Sequence, residues 1–82
     1  MTNSQKEIID RLNEVALSAN IKLSWHLYNN LPFYYCCLPD NITVYVRQNG
    51  EMFAQTALGT QLEVSLYRVV LYLKKIKLAA FK

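Results

Sequence analysis

Glycine and proline are scarce in this chain, two of each in 82 residues. That scarcity excludes long flexible linkers and low-complexity tails. Charged residues are few as well, 18% against 52% hydrophobic, which excludes a disordered polyelectrolyte and describes ordered globular material. Histidine occurs once, as His26, and cysteine twice, as the neighbours Cys36 and Cys37. A closed zinc site needs four ligands, so these three side chains do not make one. Neighbours on a strand point to opposite faces, beyond the reach of a disulfide. The two thiols therefore read as one core residue and one surface residue. Gly50 and Gly59 stand alone, so no phosphate-cradling glycine loop exists. A nucleophile–base pair would have to come from His26 with Cys36 or Cys37. Structural roles are expected for all three, and the expectation is a protein that is not an enzyme and carries no cofactor or metal.

Long apolar runs are missing too. The closest approach to a spanning segment is Val69 to Leu73, far below the roughly 18 residues that span a bilayer. After Met1 the chain continues Thr-Asn-Ser-Gln-Lys-Glu, without the basic start and apolar run of a leader. The expectation is a soluble, cytoplasmic protein with no membrane contact, folded as a single domain over residues 1–82.

Charge is present but uneven. Residues 1–67 hold four basic and six acidic residues, whereas residues 68–82 hold five basic and none acidic. The basic residues are Arg68, Lys74, Lys75, Lys77 and Lys82. One reading is that cations suit the negative end of a helix dipole. The other is an anionic partner, nucleic acid above all.

The elements follow from periodicity. Ser4-Gln5-Lys6-Glu7 is a capping-box pattern ahead of the helical stripe Ile8, Leu12, Val15, Ala16 and Ala19. The spacing predicts a helix over about 5–19, with Asn20 as its left-handed stop. Residues 21–28 alternate strictly and predict a strand with Ile21, Leu23, Trp25 and Leu27 on the core face. Residues 29–32 read as a turn, 33–38 as a second strand, Pro39-Asp40-Asn41 as a turn, and 42–47 as a third strand. Asn49-Gly50 is a hairpin signal, with 51–57 as the returning strand. A two-residue loop sets Val46 opposite Phe53 and puts Gln55 on the core face opposite Val44. A bulge near Gly50 would shift that register. Gly59 then breaks the strand. Thr60-Gln61-Leu62-Glu63 is a second capping box, which predicts a long final helix with Leu62, Leu66, Val69, Val70, Leu73 and Ile76 on its core stripe.

The architecture expected is α+β, in the order α-β-β-β-(β)-α, an antiparallel sheet with two helices on one face. The other sheet face would carry Lys22, Ser24, His26, Tyr28, Thr43, Tyr45 and Arg47.

The run from Ile42 through Gly50, then Phe53-Ala54, Gly59 and a helix, resembles the second half of a double-stranded RNA-binding domain. Leu12-Asn13-Glu14 is similar to that family's first helix, where a glutamate often faces the minor groove. The resemblance implies an α-β-β-β-α fold over most of the chain and a structured-RNA partner. The chain departs from the family in two of its three contact regions. Its loop Asn29-Asn30-Leu31-Pro32 lacks the Gly-Pro-x-His element, and its helix 2 start lacks the lysine cluster.

Two functional readings result. Tyr67, Leu71 and Leu78 lie off the core stripe of the last helix with Tyr72 nearby, and a surface helix needs only one stripe. Such apolar surface either marks an interface or is covered by the apolar Ala79-Ala80-Phe81 folding back, and the interface is the reading taken. The first reading is therefore a protein-interaction module on a fold like that of the RNA-binding domain. It would dimerise, or dock a larger protein as an adaptor or inhibitor, through Tyr67, Leu71, Tyr72 and Leu78. The alternative is a binding domain for structured RNA, using Arg68, Lys74, Lys75, Lys77 and Lys82 with Glu14, Lys22 and Arg47.

Overall fold

The computed structural model describes residues 1–28 and 32–80, with side chains through residue 76. Two helices and five strands follow one another as α1 (Asn3–Ser18), β1 (His26–Leu27), β2 (Tyr34–Leu38), β3 (Ile42–Val46), β4 (Met52–Gln55), β5 (Gln61–Val64) and α2 (Leu66–Ala80). The strands form one antiparallel meander in the order β1-β2-β3-β4-β5. Both helices pack on one face. The buried cluster joins Leu12, Val15 and Ala16 of α1 to Leu73 and Val69 of α2 over Cys36, Val44, Val46 and Met52 of the sheet. The fold is thus α+β, with one more strand than the first four that the sequence suggests.

Helix α1 starts two residues earlier than its Ser4–Glu7 pattern predicts. The capping box is Thr2 with Gln5: the Gln5 N–H donates to Thr2 Oγ1 at 3.2 Å, and the Thr2 N–H donates to Gln5 Oε1 at 2.9 Å. Tertiary contacts select this start. Gln5 is 1% exposed, and its amide Nε2 donates to the carbonyls of Pro32 (2.8 Å) and Val46 (3.2 Å). One buried amide therefore fastens the helix start to β3 and to the segment leading into β2, and every one of these bonds avoids an unsatisfied buried group. At the other end Asn20 is left-handed (φ 59°), as expected. The N–H groups of Asn20 and Ile21 bond back to Leu17 and Ala16, a Schellman stop.

The alternation of residues 21–27 holds only in part. Ile21, Leu23 and Trp25 pack against the core, and Lys22 and Ser24 are exposed. The strand ladder, however, forms only at His26 and Leu27, and Leu27 is exposed rather than core. The earlier part of the segment is held against α1 instead: the Ile21 N–H bonds the Ala16 carbonyl, and Trp25 Nε1 donates to Asn13 Oδ1 at 2.7 Å. Of the turn read at 29–32, residues 29–31 lie outside the described residues.

The β3–β4 loop has three residues, not two. The Arg47 N–H bonds the Glu51 carbonyl (2.8 Å), the Gly50 N–H bonds the Arg47 carbonyl (3.0 Å), and Gly50 takes φ 90°. This turn with its left-handed glycine moves the register by one, so Val46 pairs with Met52 and Gln55 with Thr43. Gln55 leaves the core face, and the conflict in the two-residue register disappears.

The largest departure follows β4. Residues 61–64 form β5, paired Met52 to Val64 and Gln55 to Gln61, where the sequence predicts the first turn of a helix. Nine residues after the first turn, the same geometry recurs. The Thr56 N–H bonds the Thr60 carbonyl (3.0 Å), the Gly59 N–H bonds the Thr56 carbonyl (2.9 Å), and Gly59 takes φ 85°. Gly59 therefore closes a hairpin rather than ending the sheet. Ser65 caps α2 instead of Thr60: its Oγ accepts from the Arg68 N–H at 3.2 Å. Leu62 leaves the core stripe and is 56% exposed on β5.

Candidate functional site

Three surfaces remain open on this frame. The first is the side of α2 turned from the sheet. Val69, Val70 and Leu73 are buried, while Tyr67 and Leu71, one turn apart, are 71% and 42% exposed. Leu78 continues their spacing, but its side chain lies outside the described residues. Tyr72 does not join this ridge. It is half-buried, and its hydroxyl bonds to Asp40 Oδ2 (2.9 Å) and the Pro39 carbonyl (3.1 Å). Burial, then the hydrogen bond to Asp40 and the charge of that carboxylate, push the Tyr72 phenol up to about 12.

The second surface is an apolar groove of about 170 Å³ between α2 and the sheet. Ile42, Val44, Ala54 and Val64 form its floor, and Arg68, Val69 and Tyr72 form its helix wall. Leu62, paired with Ala54 on the same sheet face, stands at the β5 edge beside it.

The third surface is the outer face of the sheet, which neither helix covers. Tyr28, Tyr35 and Tyr45 meet with ring centroids 5.8 to 5.9 Å apart, two of the three contacts edge-on, and His26 lies 5.5 Å from Tyr35. Such contacts use the negative ring face against the positive edge. Beside them the Arg47 guanidinium sits between Phe33 (5.0 Å) and Phe53 (4.8 Å) and pairs with Glu51 at 3.5 Å. A hollow of about 190 Å³ opens among Tyr28, Phe33, Tyr45, Arg47, Phe53 and Gln61. Tyr45 donates to Gln55 Oε1 at 3.1 Å, and burial followed by the neighbouring Tyr28, Cys37 and Tyr35 raises its pKa.

The residues expected to meet RNA are divided among these surfaces. Arg47 lies on the outer sheet face, already engaged by two rings and a carboxylate. Glu14 is exposed on α1 and pairs with Arg11 at 3.8 Å. Lys22 is exposed in the segment after α1, and Arg68, Lys74 and Lys75 are exposed on α2. The side chains of Lys77 and Lys82 lie outside the described residues. Helices and outer sheet face are on opposite sides of the sheet, so Arg47 and the α2 bases do not form one patch.

The thiols separate by strand parity. Cys36 is in the core, where burial and then the neighbouring Cys37 push it up to about 12, and Cys37 is exposed. Among the described residues, no three His, Cys, Asp or Glu side chains come together to hold a metal, and no helix is long and apolar enough to cross a membrane. Phe33, Tyr35 and Phe53 join the outer cluster without having been singled out. Tyr35 reaches it through the β2–β3 register, opposite Tyr45, and Phe53 through the one-residue shift of the β3–β4 register, which sets it opposite Tyr45 rather than Val46.

No family model, no curated protein and no solved structure matches this chain. The resemblance to the double-stranded RNA-binding domain places a helix directly after Gly59, where the chain instead adds β5 and gives an α-β-β-β-β-β-α order.

Proposed function

We propose that the chain is a small, non-enzymatic protein-interaction module that docks through α2. The observation that carries this reading is the exposed pair Tyr67 and Leu71, on the side of α2 away from its buried stripe. A helix that packs on one sheet needs one apolar face, and a second face exposed to water favours association. Sedimentation of the full chain at tens of micromolar tests it. Leu71→Glu is expected to lower the assembly mass, or abolish capture of a partner protein, with an unchanged far-UV circular dichroism spectrum. An assembly mass equal to that of the unaltered chain, together with undiminished capture of partner protein, overturns α2 as the docking surface.

A second reading, binding of structured RNA, draws on Arg68, Lys74 and Lys75. All three are exposed on α2, and none forms an ion pair among the described residues. A duplex RNA in the same experiment separates the two. A mass increase that reverses as salt rises, through counterion release at phosphate contacts, would put the bases ahead of the apolar ridge.

A further inference from the structure

β5 is an edge strand. β4 covers one side of it, and among the described residues no strand pairs with the other side. Hydrogen-bonding parity tells which of its groups are unpartnered. The Thr56 N–H bonds the Thr60 carbonyl, and antiparallel pairs alternate, so Thr60, Leu62 and Val64 turn their backbone groups toward β4. Gln61 and Glu63 therefore turn theirs outward. Four backbone donors and acceptors, two from each residue, line this edge. No proline occurs in the strand to blunt it.

We infer that β5 pairs antiparallel with β5 of a second copy, about a two-fold axis through Leu62, to make one continuous sheet. The proposal goes beyond the docking surface on α2 and does not use Tyr67 or Leu71.

The register follows from exclusion. A one-residue slip would set an outward-facing residue against an inward-facing one and break the ladder. Centring on Glu63 would set that carboxylate against its own copy and draw on Ser65, whose carbonyl already accepts from the Val69 N–H in the first turn of α2. Centring on Gln61 would draw on Gly59, which is committed to the turn at φ 85°. Centring on Leu62 meets none of these obstacles. Gln61 then faces Glu63 of the second copy, exchanging two backbone hydrogen bonds on each side of the axis. On the outer sheet face an amide lies beside each carboxylate, and no like charges meet.

The inner face supports the same axis. Leu62 is 56% exposed on that face, and its position against its own copy would cover both side chains. The apolar groove beside it would meet the groove of the second copy across the axis. The occupant is a second copy because the edge is complementary to itself in hydrogen-bond parity and apolar side chain, with Glu63 set against the neutral Gln61 amide rather than against a like charge.

The test uses the full chain carrying Leu71→Glu, so that association through α2 is removed. In that background the expected species at tens of micromolar has twice the 9.5 kDa chain mass. Adding Glu63→Pro deletes an outward N–H and leaves the β4 ladder intact. Adding Leu62→Lys puts charge against charge at the axis. Each is expected to weaken self-association by about tenfold or more. A cross-link fixes the register: with Cys37→Ser, Leu62→Cys is expected to give a disulfide-linked dimer under mild oxidation and Gln61→Cys is not. A Leu71→Glu chain that is already a monomer, or a Leu62→Cys chain that fails to cross-link, overturns the proposal. Neither result bears on α2, whose own test compares Leu71→Glu with the unaltered chain. If Glu63→Pro fails to fold, the Leu62→Cys and Leu62→Lys variants decide.

Discussion

At the residue scale, single polar side chains fix where the elements begin and how the loops attach. Gln5 does this at α1, with its donor and acceptor atoms all used. Tyr72 does it at the far end of the sheet, where its hydroxyl ties α2 to the β2–β3 loop through Asp40 and Pro39. The Tyr72 phenol has a folded-state pKa raised from 10 to about 12. The fold thus holds this proton more tightly than the unfolded chain does. By linkage, its contribution to stability is complete below pH 10 and is lost as pH rises from 10 toward 12. Cys36 and Tyr45, also raised, add to the same alkaline loss. Tyr72→Phe is therefore expected to lower stability at pH 7 by about 1 kcal/mol and to flatten its fall above pH 10. Urea unfolding from pH 7 to 11.5 reads both effects. An unchanged alkaline slope would remove Tyr72 from the account.

At the element scale, the informative segment is Gly59 to Arg68. Two overlapping start signals compete there, Thr60 with Glu63 and Ser65 without a reciprocal partner. Local propensity favours the first. Pairing of residues 61–64 with β4 favours the second, because it satisfies the backbone groups that β4 turns away from β3. The outcome is testable by truncating each cap. Ser65→Ala is expected to cost about 1 kcal/mol, since the Arg68 N–H loses its acceptor. Thr60→Ala is expected to change the denaturant midpoint little, because Thr60 is exposed in a hairpin and caps nothing. The reverse result would restore the longer helix and dissolve β5, and with it the edge on which self-pairing depends.

At the scale of the whole molecule, one sheet face is buried and the other is finished by its own side chains. Two helices supply the core, whereas the outer face, which no helix covers, is lined by aromatic contacts and by Arg47 between two rings. A chain this short has little stability in reserve, on the order of 5–15 kcal/mol in total. Leu73, fully buried where α2 meets the core, carries a large share of it. Leu73→Ala is expected to cost about 2–5 kcal/mol, seen as a lower melting temperature with the same unfolded baseline. A loss below about 1 kcal/mol would mean that α2 is not seated as described.

By itself the sequence determined what depends on local chemistry. Asn20 stops α1 because its short side chain tolerates the left-handed conformation. Pro39-Asp40-Asn41 turns the chain for the same reason, with Asp40 and Asn41 both at positive φ. Alternation made one of Cys36 and Cys37 a core residue and the other a surface residue, the structure choosing Cys36 for the core, and it put Tyr28, Tyr45 and Arg47 on a shared outer face. The helical stripe Val69, Val70, Leu73 and Ile76 was legible, as was the exposed pair Tyr67 and Leu71. Tertiary structure decided what depends on distant partners. It chose Thr2 over Ser4 through the carbonyls of Pro32 and Val46, and it chose strand over helix for residues 61–64 through β4. It drew Tyr72 off the α2 ridge toward Asp40. At the two helix starts the competing caps differ by only about 1 kcal/mol. Hydrogen bonds and burial between residues far apart in the chain broke the tie.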